Sequence, residues 1–251
     1  MSITFIIRWR PSLPFNTERR RQLAKNRMTD QTPLSPSDRR RERRIKKILA
    51  AAFEEFAANG FAAARLDAIA EGAGVSKGAV YLYFESKEHL FEEVIKAYIL
   101  PVVDQVVHVS DEPHGTAEAM LRAQLETIYK RVIATDRRRM IRLLVAEGPR
   151  FPHLVDLYYR EVISRVFGAL KRTIEYGVET GEFQNTQLTA HPPLIMGPAL
   201  GGAMWMMLFE NRCPLNPESL CQAHIAMLLN ALRTPGPLPG TGPEAKTGLP
   251  S

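Results

Sequence analysis

Between Arg65 and Lys87 the chain reads RLDAIAEGAGVSKGAVYLYFESK, and the residue types there suit one kind of chemistry. That chemistry is hydrogen bonding and charge pairing with a polyanion. Lys77 offers an ammonium able to donate to guanine acceptors or to phosphate. Tyr81 and Tyr83 carry hydroxyls that can reach phosphate oxygens while their rings pack. Lys87 places a cation beside the open amides and positive dipole of a helix N-terminus. Gly78 leaves out a side chain where a backbone and a duplex must approach closely. Nothing in the run could carry out covalent chemistry.

These residues need elements that hold them in register. Leu66, Ile69 and Ala70 give a short helix an inner face, and Gly72-Ala73-Gly74-Val75 has the length of a turn that sets two helices at a steep angle. Ser76 caps the second helix. In it Val80 and Phe84, four apart, point to the core and leave Lys77, Gly78 and Tyr81 outward at the N-terminal end. A recognition helix presents those positions to the major groove. A helix-turn-helix used only for packing is the alternative, but an outward Lys-Gly-x-x-Tyr face gains a core nothing. Upstream, Ile45, Ile48, Leu49, Ala52, Phe53, Phe56 and Ala57 recur at three- and four-residue steps, predicting an amphipathic helix that Asn59-Gly60 stops.

From Ile48 to Tyr98 the chain resembles the DNA-binding domain of the TetR/AcrR family of bacterial regulators. The matching marks are Ala51-Ala52-x-x-x-Phe56-x-x-x-Gly60-Phe61, Ile69-Ala70, Gly74-Val75-Ser76-Lys77-Gly78, Tyr81-x-Tyr83-Phe84 and Ser86-Lys87-Glu88-x-Leu90. The resemblance implies a homodimer whose two heads engage a palindromic operator in double-stranded DNA. It also implies a C-terminal domain in which a small molecule shifts the heads and releases DNA. By position, Lys77, Gly78 and Ala79 would face bases, while Tyr81, Tyr83 and Lys87 would hold phosphates, with Ser76 capping the helix between. One departure stands out. The family often has Thr at the entry to its second helix, where this chain has Ala63-Ala64-Arg65, so a phosphate contact there must come from Arg65 or from backbone amides.

The expected architecture is all-α, a three-helix helix-turn-helix domain over 38–86 followed by a helical effector-binding and dimerisation domain over 87–233. A basic N-terminal extension over 1–37 and a Pro/Gly-rich tail over 234–251 read as disordered. Met28 opens a second plausible start of translation. Charge follows the same division. Residues 1–47 hold 14 Lys/Arg and 4 Asp/Glu, or +10, residues 48–100 hold 4 and 8, or −4, and the remainder balances at 15 and 15. A positive N-terminal fifth suits an arm or helix end near phosphates. Cys213 and Cys221 are too few for a disulfide framework or a four-ligand zinc site, and read as free thiols in a reducing cytoplasm.

Further on, periodicity predicts a helix that opens at Lys87 behind Ser86 as N-cap and is ended or kinked by Pro101. It predicts another capped by Thr116 and running to about Ala134, and others over Arg138–Ala146, from Pro152 to Thr180, near Pro193–Glu210, and near Pro217–Arg233 with Asn216 as N-cap. No motif with a mechanism accompanies them. There is no nucleophile elbow, phosphate-binding glycine loop or metal-spaced histidine pair, so an enzyme, a cofactor and a metal are not expected. Met120, Leu125, Tyr129, Met140, Leu144 and Phe167 could line an apolar pocket, although such a stripe also fits plain core. Arg137, Arg138, Arg139 and Arg142 could bind an anionic effector or form a solvated helix end. Pro192 to Phe209 holds eighteen residues without a charge. Its prolines and glycines argue against a membrane span and for a helix buried between subunits. Gly197, Gly201, Met204, Trp205, Leu208 and Leu228 are the expected dimer contacts. Two function classes remain open, a repressor released by a small, largely apolar ligand and a constitutive DNA-binding regulator or activator without an effector.

Overall fold

The computed structural model describes residues 35–184 and 187–233. Residues 1–34 of the expected disordered extension 1–37, the expected tail 234–251 and the choice between Met1 and Met28 lie outside the described residues. Every regular element among the described residues is helical, as the sequence predicts.

Helix α1 spans Pro36–Ala63. It begins two residues before the expected boundary because Ser35 caps it, its Oγ accepting the Asp38 N–H at 3.1 Å. From Arg44 onward the chain forms one unit. Within it Ile48, Leu49, Ala52, Phe53, Phe56 and Ala57 are buried on one face of α1, as their spacing requires. Gly60 has φ 78° and ψ 171°, so it breaks the helix with an extended ψ and not as a left-handed stop.

Short helices follow at Leu66–Ala73 (α2) and Lys77–Tyr83 (α3), then α4 at Lys87–Tyr98 and α5 at Leu100–Asp111. Pro101 lies in the first turn of α5, where its missing N–H has no helical partner to lose, so it starts a helix at the break it causes. Helix α6, Ala117–Ile128, is capped by Thr116 and runs into a π turn over Tyr129–Ile133. After a 3₁₀ turn, α7 covers Arg139–Glu147. The long helix expected from Pro152 is divided by a second π turn, Tyr159–Ile163, into α8 (Pro152–Tyr158) and α9 (Ser164–Glu179), with Gly181 at φ 79° past its end. Short α10 (Gln187–Ala190) precedes α11 (Pro192–Phe209) and α12 (Pro217–Arg233), the last capped by Asn216.

Two buried clusters organise these helices. The first joins α1–α4 to Met140 and Leu143 of α7, Leu154 and Leu157 of α8, and Val162. Its centre is aromatic. Phe56 and Phe61 stack at 5.7 Å, Phe91 meets both edge-on, and Phe151 meets Phe61 at 4.8 Å. The second lies among α5, α6, α9, α11 and α12. The helix-turn-helix therefore shares its core with α7 and α8, and no hydrophobic gap falls at residue 87.

Candidate DNA interface and the helices behind it

Helix α2 stops at Gly74, whose φ of 67° and ψ of 39° are left-handed and whose N–H donates to the carbonyls of Ala70 and Glu71. The chain then turns and Ser76 Oγ accepts the Ala79 N–H at 3.3 Å, starting α3. Val80 and Phe84 are buried and anchor that helix from within. Lys77 and Gly78 are exposed, Ala79 is half-buried, and Tyr81 is 51% exposed. The expected outward set is thus on one surface. Leu82 belongs there too at 74% exposure, the most open large apolar side chain among the described residues. Sequence reasoning passed over it because a leucine between two tyrosines reads as core.

Gly78 has an ordinary negative φ, and a Cβ built there would meet only Ser76 Oγ at 4.0 Å. Nothing inside the protein requires a glycine at this place. It is the second residue of α3, in the first turn, where a glycine costs less than the about 1 kcal/mol it costs in a helix interior. The room it leaves lies outside the molecule.

The cations of the site are not idle. Lys77 Nζ lies 3.1 Å from each carboxylate oxygen of Asp67 on α2. Lys87 Nζ donates to the carbonyls of Ala62 at 3.0 Å and Ala64 at 3.3 Å, and sits 4.9 Å from the centre of the Phe61 ring. It ties the α1–α2 link to α4, whose N-terminus Ser86 caps by accepting the His89 N–H. Tyr83 is half-buried against the first cluster, not turned outward like Tyr81. Exposed Arg65 sits at the N-cap of α2 without a side-chain cap, and its own N–H is taken by Glu55 Oε1 at 3.0 Å. That carboxylate occupies the Arg65 amide and leaves the first-turn N–H groups of α2 without a side-chain cap.

Behind the head, the arginine run turns inward. Arg139 pairs with Glu54 at 2.9 Å, Arg142 donates to the Ala57 carbonyl at 2.6 Å, and Arg137 Nε donates to the Tyr98 carbonyl at 2.8 Å. Glu147 Oε2 accepts the Ala62 N–H at 3.2 Å, and a Cβ on Gly60 would come within 2.9 Å of its Oε1. Arg137, Arg138 and Arg139 are half-buried and Arg142 is exposed, and each donates to an acceptor of the protein, Arg138 to the carbonyls of Ile133 and Thr135 just before it. Arg139 and Arg142 fasten α7 to α1, and Arg137 ties the turn before α7 to the end of α4, partners that lie too far away in sequence for periodicity to reveal.

The six expected pocket residues do not come together. Leu125 and Tyr129 lie in the second cluster with Phe167 against it, whereas Met140 lies in the first with Leu144 against it. Met120 is buried on α6. Tyr129 donates its hydroxyl to His224 Nδ1 at 3.1 Å, because His224 Nε2 must donate to the Ile195 carbonyl at 2.8 Å. Burial raises the Tyr129 hydroxyl and pushes the His224 imidazole below its usual value. Among the described residues no group of three or more His, Cys, Asp and Glu side chains could hold a metal ion.

Along α11, Leu194, Gly197, Gly201, Trp205 and Leu208 are exposed at steps of three and four, with Met204 half-buried beside them. Leu208 is 64% exposed. Leu228 departs from its expected place, being 2% exposed and packed in the second cluster, while Met227 beside it is half exposed. One residue of register along a helix turns a side chain by about 100°, which sequence alone does not assign to an inner or outer face. The small residues also divide. Gly202 is where α11 meets α12, since a Cβ there would collide with Leu220, whereas Gly197 and Gly201 have open space above them. Among the described residues, no helix is long and apolar enough to cross a membrane.

Two family descriptions match the chain, bacterial regulatory proteins of the tetR family over residues 48–94 and the C-terminal domain of AefR-like transcriptional repressors over 119–231. The transcriptional regulator AcrR of Shigella flexneri is 23% identical over 165 residues, 64% of this chain and 77% of that protein. The repressor KstR2 of Mycolicibacterium smegmatis is 30% identical over 107 residues, covering 41% and 50% respectively. In fold, the chain is similar to FadR, a fatty acid degradation regulator of Bacillus halodurans (TM-score 0.62, 24% identity, 76% of this chain and 96% of that one). It is likewise similar to FadR of Bacillus subtilis in complex with stearoyl-CoA (TM-score 0.57, 20% identity, 73% and 97%). With its reading head and its helical half each matched in order, the chain belongs to the TetR/AcrR family of bacterial transcriptional regulators.

Proposed function

We propose that this regulator is a homodimeric repressor, released from a palindromic operator when a small, largely apolar molecule binds its helical half. The observation that carries the DNA half of this reading is Gly78, a glycine in the first turn of α3 that its own protein does not need, between exposed Lys77 and Tyr81. Lys77, Gly78 and Ala79 meet base edges, and Leu82 meets a thymine methyl. Tyr81, Tyr83, Arg65 and the capped start of α3 at Ser76 position phosphates. Lys87, with Nζ committed to two carbonyls, helps a phosphate chiefly through the field and open amides of α4.

On this reading 38–86 is the DNA-binding domain and 87–233 the effector and dimer domain. The α11 face built on Gly197, Gly201, Trp205 and Leu208 is its self-complementary contact, since a symmetric dimer uses one patch twice. Leu125, Tyr129 and Phe167 belong to the effector region, while Met140 and Leu144 serve the link to the head. The stearoyl-CoA bound to the Bacillus subtilis relative supports an effector with a long apolar part.

The test is fluorescence anisotropy of the full chain on DNA from upstream of its own gene and on a scrambled duplex, at several salt concentrations. A large preference for the upstream DNA, bound as a dimer, is the expected result. Equal and steeply salt-dependent binding to both would reject sequence-specific repression of its own gene. Specific binding that no apolar small molecule relieves would favour the constitutive regulator.

A further inference from the structure

Among the described residues, Ser110, Gln124, Thr173 and His224 are the buried polar side chains. His224 is satisfied at both ring nitrogens. The other three lie on α5, α6 and α9, which pack against one another. Ser110 Oγ donates to the Val107 carbonyl and accepts from Arg172 at 3.0 Å. Gln124 is 0% exposed and donates Nε2 to the Val106 carbonyl at 3.1 Å. A carbonyl only accepts, so this contact fixes the amide orientation and leaves Oε1 as the free end. Gln124 Oε1, Thr173 Oγ1 and Arg172 Nε are all buried, and none has a hydrogen-bond partner in the protein.

Buried polar atoms are ordinarily paired, and each unpaired one weighs against folding. A helical threonine usually escapes this by donating to the carbonyl four residues back. Thr173 does not. Three such atoms within one trio of helices therefore need an account, and their chemistry is complementary. Gln124 Oε1 can only accept, Arg172 Nε can only donate, and the Thr173 hydroxyl can do either. A headgroup that both donates and accepts has the chemistry to pair with each of them. A carboxylate has no proton for Gln124, and an ammonium has no lone pair for Arg172. Val106, Leu121, Leu125, Ala169 and Leu170 supply apolar surroundings in the same cluster.

We propose that the α5–α6–α9 core is an effector subsite in which Gln124, Thr173 and Arg172 bind the uncharged polar end, an alcohol or a carboxamide, of an amphipathic small molecule. The subsite rests on the reading that the helical half takes an effector, and it names that effector's class.

Calorimetric titration of the full chain with hexanamide, 1-hexanol, hexyl methyl ether and hexanoate tests it. The amide and the alcohol bind more tightly than the ether, which accepts but cannot donate, by about tenfold or more. Thr173→Val and Gln124→Met remove that preference, and their melting temperatures hold or rise because an unpaired polar atom has gone. Thr173→Ser keeps the hydroxyl and keeps the preference. Equal affinity of the wild-type chain for amide and ether, or affinity for neither, overturns the proposal. So does a Thr173→Val chain that melts lower yet retains the preference, since the hydroxyl would then serve the fold. Anisotropy on upstream DNA with the same samples keeps the two readings apart. Intact specific binding with no ligand preference sinks only the subsite, and loss of specific binding sinks the reading beneath it.

Discussion

Helices α3 and α11 both present large apolar side chains to solvent, but in different company. On α3, Tyr81 and Leu82 stand beside Lys77, an exposed glycine and the open start of a capped helix. On α11, Trp205, Leu208 and Leu194 stand beside exposed glycines with no charge in the helix. A surface with cations and hydroxyls suits a polyanion whose counterions it can displace. An uncharged surface of tryptophan, leucine and glycine suits another protein surface that excludes water. Exposure alone does not tell a reading face from an assembly face; the residues mixed with the apolar ones do.

Leu208→Glu should break that contrast most strongly, by placing a charge in the α11 face. We expect the dimer to weaken by about 2–4 kcal/mol, enough to give monomers at micromolar concentration in light scattering, with helix content unchanged. An unaltered dimer would move the interface elsewhere. Lys77→Ala should cost about 1–3 kcal/mol in binding to the specific site and leave assembly untouched. Equal losses on specific and scrambled DNA would make Lys77 a phosphate contact instead. Arg142→Met, which removes the guanidinium held by the Ala57 carbonyl, should cost about 1–2 kcal/mol of stability in denaturant unfolding. No change would show the tie between α7 and α1 to be passive.

Two smaller effects sharpen the comparison. Gly78→Ala should stabilise the fold slightly, by up to about 0.5 kcal/mol, because the protein has room for the methyl group, and should weaken DNA binding if α3 approaches the duplex as proposed. Gly202→Ala, by contrast, should destabilise, because Leu220 occupies that space. Melting curves of the two variants check the opposite signs. The least effect is acidic. Burial lowers the His224 pKa, partly offset by its hydrogen bond to Ile195, so the unfolded chain takes up the proton first. The stability due to a neutral His224 is complete above about pH 6.5 and is lost as pH falls through the lowered folded value. Melting temperatures from pH 7.5 to 5 should fall further for the wild type than for His224→Gln, and parallel curves would dismiss the effect.

The reading head was legible because its signals are local. Ser76, Ser86, Thr116 and Asn216 each accept a backbone N–H within three residues, so a few side chains announce a helix start. The outward face of α3 follows from a helical repeat only seven residues long. The helical half was less legible, since helix boundaries do not say which helices meet. Leu125 and Met140 have similar apolar character, yet one packs among α5, α6 and α9 and the other beneath the head. The two π turns, at Tyr129–Ile133 and Tyr159–Ile163, likewise have no counterpart in apolar spacing, because each shifts the inward face by one residue partway along a helix.

By itself the sequence determined the all-helical class, the order and caps of the helices, and the chemistry of the α3 face. All of these depend on residues within a turn or two of one another. Only the tertiary structure decided that Arg139 and Arg142 fasten α7 to α1, that Lys77 and Lys87 already hold internal partners, and that Leu228 faces inward. It also buried Gln124 Oε1 and Thr173 Oγ1 without a hydrogen-bond partner in the protein. Those outcomes come from side chains meeting across long stretches of chain, where packing and the need to pair buried polar groups select partners that local spacing cannot specify.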